Sequence, residues 1–269
     1  MISASHGQSF RERRPARAIA GLVTCVWVQQ TAPTAAGRYA HHTVPNGATE
    51  LLCVIGQPPR VVGPQTTHAA SLATAGSVVG VRFWPGAAGA LLGLPIDLLA
   101  DLDVEATALL DADAVARLTE AVATAPSPWA AATVLESFVA EHVSGRTPDL
   151  VALRAAHRLG GRIDLRTLCQ DLEISERQLR RRVRAAVGVG PKELQRMLRY
   201  QRFVALAHAD ARPVTGLARL AADAGYADQA HLTREAVRVG GRTPSAMLRE
   251  ASIHCHGAHD HAASFAAYV

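Results

Sequence analysis

Leu165 to Pro191 reads LRTLCQDLEISERQLRRRVRAAVGVGP, and Leu217 to Pro244 reads LARLAADAGYADQAHLTREAVRVGGRTP. The second stretch repeats the first. Leu179, Arg181, Val183, Gly188 and Pro191 recur as Leu232, Arg234, Ala236, Gly241 and Pro244, all at an offset of 53 residues. A repeat that keeps glycine and proline in register marks a duplicated structural unit. Each copy predicts two helices and a tight turn. In the first, Leu165, Leu168, Cys169 and Leu172 fall on one helical face. Ser175 then caps a second helix, and Gln178 completes a capping box. Leu179, Val183, Ala186 and Val187 form its inner stripe, and Gly188 suits its stop. In the second copy Leu217, Leu220, Ala221 and Ala224 form the first face. Gly225-Tyr226-Ala227 makes the turn, and Asp228 caps the next helix. Thr243-Pro244 opens a short final helix. Between the copies, Pro191 to about Ala209 reads as one long helix.

Two short helices joined by a tight turn form a helix-turn-helix, whose second helix lies in the DNA major groove. The charge pattern fits that use. Arg177, Arg180, Arg181 and Arg184 fall at i, i+3, i+4 and i+7, one basic stripe clear of the Leu179/Val183 face. Guanidinium groups so arranged can meet phosphates and guanine edges together. The whole chain supports the division. Residues 1–145 carry 8 basic and 11 acidic side chains, and residues 146–269 carry 20 and 12. All but one of those 20 are arginine, the exception being Lys192. A basic half beside a mildly acidic one suggests a nucleic-acid module joined to something else.

Residues from about Asp149 to Glu250 resemble the AraC/XylS-type DNA-binding domain. Ser175 to Arg202 and Leu217 to Leu248 carry the resemblance, above all Gly225-Tyr226-Ala227-Asp228-Gln229 and Gly241-Arg242-Thr243-Pro244. It implies that Arg177, Arg180 and Arg181 enter one major groove, and that Gln229, Ala230, His231, Thr233 and Arg234 are their counterparts in the next. Arg184, Arg196 and Arg199 are then phosphate contacts. The chain departs from the family where Val183 and Ala236 replace a bulky aromatic, Leu232 replaces another, and Cys169 stands where alanine is usual.

The N-terminal half predicts short strands broken by turns such as Pro45-Asn46-Gly47, Gly63-Pro64 and Pro85-Gly86. Thr49 to Ile55, Arg60 to Val62 and Ser77 to Trp84 are strand candidates. Helices follow at Ala87 to Leu92, Asp113 to Thr124 and Ser127 to Val143. This half is similar to the sensor-like domain of one branch of the same family, through Pro45-Asn46-Gly47, Val62-Gly63-Pro64-Gln65 and Gly80-Val81-Arg82-Phe83 with Pro85-Gly86. The resemblance implies a cupin-like β domain. The expected architecture is therefore α+β: residues 1–145 form a small β barrel or sandwich with trailing helices, for sensing or dimerisation. Residues 149–252 form two tandem helix-turn-helix units on a long linker helix, and residues 253–269 form a flexible tail.

Trp27, Arg82 and Trp84 are the expected pocket residues of the β domain. The tail offers His254, Cys255, His256, His259, Asp260 and His261 as candidate metal ligands, since imidazole and thiolate suit zinc, nickel or copper. Arg11, Arg13, Arg14 and Arg17 before the apolar run Ala18 to Val28 resemble the start of a signal peptide, but Val23, Val26, Trp27 and Val28 favour a strand. With no paired-cysteine motif among its 4 cysteines, the chain suits a reducing cytoplasm. The expected function is a cytoplasmic, sequence-specific transcription regulator that is no enzyme and needs no cofactor. Its partners are double-stranded DNA, with RNA polymerase, a small-molecule effector and a second copy of the chain as further candidates, and no membrane. The alternative is a metal-dependent enzyme or small-molecule-binding protein built on the β domain, with His41, His42, Glu50 and His68 as the ligand set.

Overall fold

The computed structural model describes residues 7–33, 40–72, 75–143, 146–209, 216–254 and 259–265; side chains at 40–42, 70–72, 250–254 and 259 lie outside that description. The N-terminal half is built on a seven-stranded sheet. Its strands are β1 (Gln8–Arg13), β2 (Val23–Thr31), β4 (Glu50–Val54), β5 (Arg60–Val62), β7 (Gly76–Phe83), β8 (Asp103–Glu105) and β9 (His259–Asp260), in the order β8-β5-β4-β7-β2-β1-β9. Every pairing in it is antiparallel except β1 with β9. β3 (Ala40–Thr43) and β6 (Ala69–Leu72) form a separate antiparallel pair. The run Ala18 to Val28 thus becomes a 3-10 turn at Arg17–Ile19 followed by β2, an inner strand of the sheet.

Side chains alternate across a strand, and the register sorts them into two unlike faces. Val26, Val28, Val79, Val81, Phe83, Leu51, Cys53 and Val61 share the apolar face. It packs against α2 (Ala112–Ala123) and α3 (Pro128–Val143) through Leu118, Val122, Leu135 and Val139. Asp111 caps α2, accepting from the Ala114 N–H at 2.9 Å. Ser127 caps α3, one residue before Pro128. A short α1 (Gly89–Leu92) and a 3-10 turn at Ile96–Leu99 close the end of the domain. The opposite face carries Phe10, Glu12, Cys25, Trp27, Glu50, Leu52, Val78 and Arg82.

Seven described helices make the C-terminal half: α4 (Leu150–Leu159), α5 (Leu165–Asp171), α6 (Glu176–Val187), α7 (Pro191–Ala209), α8 (Leu217–Ala224), α9 (Gln229–Gly240) and α10 (Pro244–His254). α5–α6 and α8–α9 are the two helix-turn-helix units, each with its own core. Leu168, Leu179, Val183, Val187, Leu194 and Leu198 centre the first. Leu220, Leu232 and Ala236 centre the second, whose bulk comes from Tyr200 and Phe203 of α7. The small residue Ala236 is therefore matched by aromatics on the linker helix, and a fully buried Ala236 leaves them room. Within the segment expected as a tail, β9 joins the edge of the sheet and α11 (Ala262–Phe265) packs beside it.

Candidate nucleic-acid interface

The caps that start α6 and α9 are built as the spacing predicts. The Ser175 hydroxyl accepts from the Gln178 N–H at 3.2 Å, while the Gln178 side chain accepts from the Ser175 N–H at 2.9 Å. Asp228 caps α9 by accepting from the His231 N–H at 2.6 Å. Along α6, Leu179, Val183 and Val187 are buried. Arg177, Arg180, Arg181 and Arg184 are exposed, and none has an ion-pair or hydrogen-bond partner among the described residues. Arg182 faces the other way, 2.8 Å from Asp149 at the start of α4. That bond fixes α6 within its unit. Although partial burial raises the Asp149 carboxyl's pKa, the Arg182 bond and two backbone N–H donors lower it on balance. The stripe is thus four uncommitted guanidinium groups on a rigid helix, the arrangement that phosphate and guanine contacts need.

The corresponding helix of the second unit, α9, is chemically different. Gln229, Ala230 and Arg234 are exposed, and His231 and Thr233 are half-buried. The Thr233 hydroxyl donates to the Gln229 carbonyl at 2.9 Å. The His231 Nδ1 accepts from the Ala227 N–H at 3.4 Å. Two of the five groups are thus already occupied locally. The two linker arginines are occupied as well. Arg196 pairs with Glu193 on its own helix and with Glu235 on α9 at 2.8 Å. Arg199 lies 5.7 Å from the centre of the Tyr226 ring, within cation–π range. Both hold α7 to the second unit, and the Arg162 guanidinium, between α4 and α5, ties the first unit to α8 by donating to the Ala222 carbonyl.

The β domain touches both units at equivalent points. Gly188 and Gly241, the repeated glycines that end α6 and α9, have φ of +87° and +73°. A side chain is strained there, and there is no space for one. A Cβ at 188 would sit 2.6 Å from Pro64 Cγ, and one at 241 would sit 2.3 Å from the His68 ring. Pro64 and His68 belong to one loop. Other contacts join the halves more deeply. The Gln201 amide of α7 donates to the Pro45 carbonyl at 3.1 Å in a buried position. Arg146 donates to the Leu91 carbonyl at 2.9 Å. Trp84 lies 4.3 Å from the His157 ring of α4. The motifs Pro45-Asn46-Gly47 and Gly63-Pro64 therefore carry the seam between the domains.

Of the three expected pocket residues, the structure brings two together. Trp27 and Arg82 share the polar face of the sheet, while Trp84 sits at the domain seam. Two carboxylates that the sequence reading did not assign there join them. Arg82 Nε lies 2.6 Å from Glu50 Oε1, and Nη1 lies 3.1 Å from Glu12 Oε1. The available signal was opposite charge at inward-compatible positions of three strands. Burial alone would raise the Glu12 pKa, but the nearby His261 imidazole and the charge of Arg82 bring it down to about 2. Burial pushes the neighbouring Cys25 thiol far up, so it behaves as a small apolar group. A cavity of about 270 Å³ lies instead beside α6, lined by Leu165, Leu179, Arg180, Pro191 and Lys192 among others.

The proposed metal sets are not assembled within the described residues, where no three His, Cys, Asp or Glu side chains could hold a metal ion. Glu50 is bound to Arg82, and His68 lies over Gly241. The side chains of His41, His42, His254, Cys255, His256 and His259 lie outside the described residues. His261 is described, and it packs on Phe10. No described helix is long and apolar enough to cross a membrane.

Comparison with known proteins agrees with this division. Residues 168–250 match a helix-turn-helix domain family, and residues 11–105 match a domain family of unknown function. No curated protein matches the chain significantly. Among solved structures, ToxT from Vibrio cholerae at 1.65 Å resolution is 14% identical, covering 90% of this chain and 98% of its own with a TM-score of 0.41. Unsaturated fatty acid-bound ToxT from strain SCE256 is 12% identical, covering 90% and 94% with a TM-score of 0.42. Residues 168–250 are thus a helix-turn-helix domain, spanning both two-helix units.

Proposed function

We propose that this chain, a DNA-binding transcription regulator with an AraC-type C-terminal domain, reads its operator mainly through α6, and that its β domain sets the placement of both reading helices in response to an effector. The observation that carries the reading is the stripe of four exposed, unpaired arginines on a capped helix. Arg177, Arg180 and Arg181 would reach base edges, and Arg184 a phosphate. α9 would add Gln229 and Arg234, with His231 and Thr233 closer to the backbone. Ala230 offers only a methyl contact. Arg196 and Arg199 would act by holding α7 against the second unit.

The loop from Gly63 to His68 supports a role for the β domain in this. It meets the ends of α6 and α9 together, so a shift of that loop would alter the spacing of the two reading helices. One chain carries both helices, and two adjacent grooves can be read without a homodimer. A protein of this kind acts in the cytoplasm, and on transcription through RNA polymerase. The test is fluorescence anisotropy on a selected operator duplex. Arg180→Ala and Arg181→Ala should each cost about 1–3 kcal/mol and relax base preference locally. If both leave affinity and preference unchanged, α6 is not the reading helix.

A further inference from the structure

The polar face of the sheet is covered by the chain's own C-terminal segment. His259 and Asp260 pair in parallel with Phe10 and Arg11, and α11 follows over the strands. The His261 ring stacks on Phe10 at 4.9 Å with 25° between planes. Its Nδ1 is 3.9 Å from Glu12 Oε1, and the Ser264 N–H donates to Glu12 Oε2 at 2.8 Å. Ala263 packs on the cluster of Phe10, Cys25 and Trp27. The cover is slight: a two-residue strand and a single helical turn, elements too short to hold without their tertiary contacts.

Beneath this cover the face is chemically incomplete in two ways. Glu12, Glu50 and Arg82 are two carboxylates and one guanidinium, so Glu12, whose side chain has no exposed surface, depends on the cover itself for its remaining partners, the Ser264 N–H and the His261 ring. A buried carboxylate calls for a cation or for several N–H donors. The Trp27 Nε1–H, on a residue only 5% exposed, has no acceptor, and the buried Gln8 Oε1 on the same face of β1 has no donor. Phe10 and Trp27, with ring centres 5.6 Å apart, add the aromatic surfaces on which organic cations bind. The cover also reaches the DNA-binding half. His208, in the last turn of α7, lies 5.0 Å from the Phe265 ring and 5.9 Å from the His261 ring.

We infer that this face is an effector site, closed in this structure by residues 259–265, and that its effector is a small organic cation with a flat ring, which takes the place of the His261 imidazole between Phe10 and Glu12. The inference rests on the reading of the β domain as an effector-responsive unit and names its ligand class. A ring N–H or ammonium group would bond to Glu12, and the ring would lie on Phe10 and Trp27. Displacing the segment would free the last turn of α7 from His261 and Phe265, which carries the signal to the linker of the two helix-turn-helix units.

Titration calorimetry of the full chain at pH 6.5 tests this with 4-methylimidazole, benzylammonium and benzoate as probes. His261→Ala removes the resident ring. It should bind 4-methylimidazole at least tenfold more tightly than the unaltered chain does, and Glu12→Gln added to it should abolish that gain. Phe10→Leu in the same background gives a second route to the loss if the Glu12 variant does not fold. Benzylammonium should bind and benzoate should not. Equal binding by the unaltered chain and His261→Ala overturns the inference, and so does a preference for benzoate. Anisotropy with operator DNA on the same samples separates the two readings: intact DNA binding without probe binding defeats the effector site alone, whereas absent DNA binding by the unaltered chain defeats the regulator.

Discussion

Arg82→Met keeps the length of the side chain and removes its charge from between two carboxylates. Arg82 and Glu50 are 17% and 18% exposed at their side chains, and Glu12 is 0%. At separations of 3.1 and 2.6 Å, each pair has a gross attraction of roughly 5–6 kcal/mol at an effective dielectric of about 20. Desolvation offsets most of that in the intact triad. The variant keeps the desolvation and loses the attraction, so a cost of about 3–5 kcal/mol at pH 7.5 is expected. The pH dependence gives a sharper test. In the intact protein Glu12 sits at about 2, below its ordinary 4.5. Its charged form therefore contributes stability above pH 4.5 that is lost as pH falls toward 2. Without Arg82, the burial of Glu12 is no longer offset by the guanidinium, and its carboxyl is pushed up past its ordinary value. The variant then loses stability as pH rises from 4.5, so its penalty should be smaller at pH 5 than at pH 7.5 by about 1 kcal/mol or more. Urea unfolding followed by circular dichroism and tryptophan fluorescence measures both values. A penalty under about 1 kcal/mol at pH 7.5, or one that grows on acidification, would refute the account of the triad.

Ser175→Ala removes the hydroxyl that caps α6 and should cost about 1 kcal/mol in urea unfolding, with operator affinity falling as the helix start frays; no change in either would contradict the cap's role. Leu194→Ala empties a fully buried position in the first unit's core and should lower stability by about 2–5 kcal/mol, measured by the same unfolding. Gln201→Leu leaves the buried Pro45 carbonyl without its donor, at about 1–3 kcal/mol. Because that bond crosses the domain seam, hydrogen exchange should rise in both the Pro45 turn and α7, and protection unchanged on both sides would count against the seam.

The duplicated helices were legible because their determinants are local. Ser175 and Gln178 lie three residues apart, the arginine stripe obeys helical period, and Gly188 and Gly241 end their helices by backbone conformation alone. The linker helix was readable from Pro191 for the same reason. The β domain was readable as strands and turns, while the meeting of Glu12, Glu50 and Arg82 depends on register among three strands distant in sequence. Trp84 read as a pocket residue because strand alternation does not tell where a strand ends, and it sits just beyond β7 at the seam. The docking of residues 259–265 had no signal in composition: His259-Asp260-His261 suggested metal chemistry, whereas His261 packs on Phe10. Arg196 read as a phosphate contact because its acidic partner Glu235 belongs to another helix.

The central claim, that α6 of this chain reads DNA sequence, is tested most directly by selecting from a pool of random duplexes with the purified full-length protein and sequencing what is retained, for the unaltered chain and for Arg180→Ala with Arg181→Ala. The account predicts an enriched site with two blocks about one helical turn, roughly 10 base pairs, apart, of which one block loses its information in the double variant while the other persists. Retention with no sequence enriched over the starting pool, or the same motif undiminished in the double variant, would contradict it.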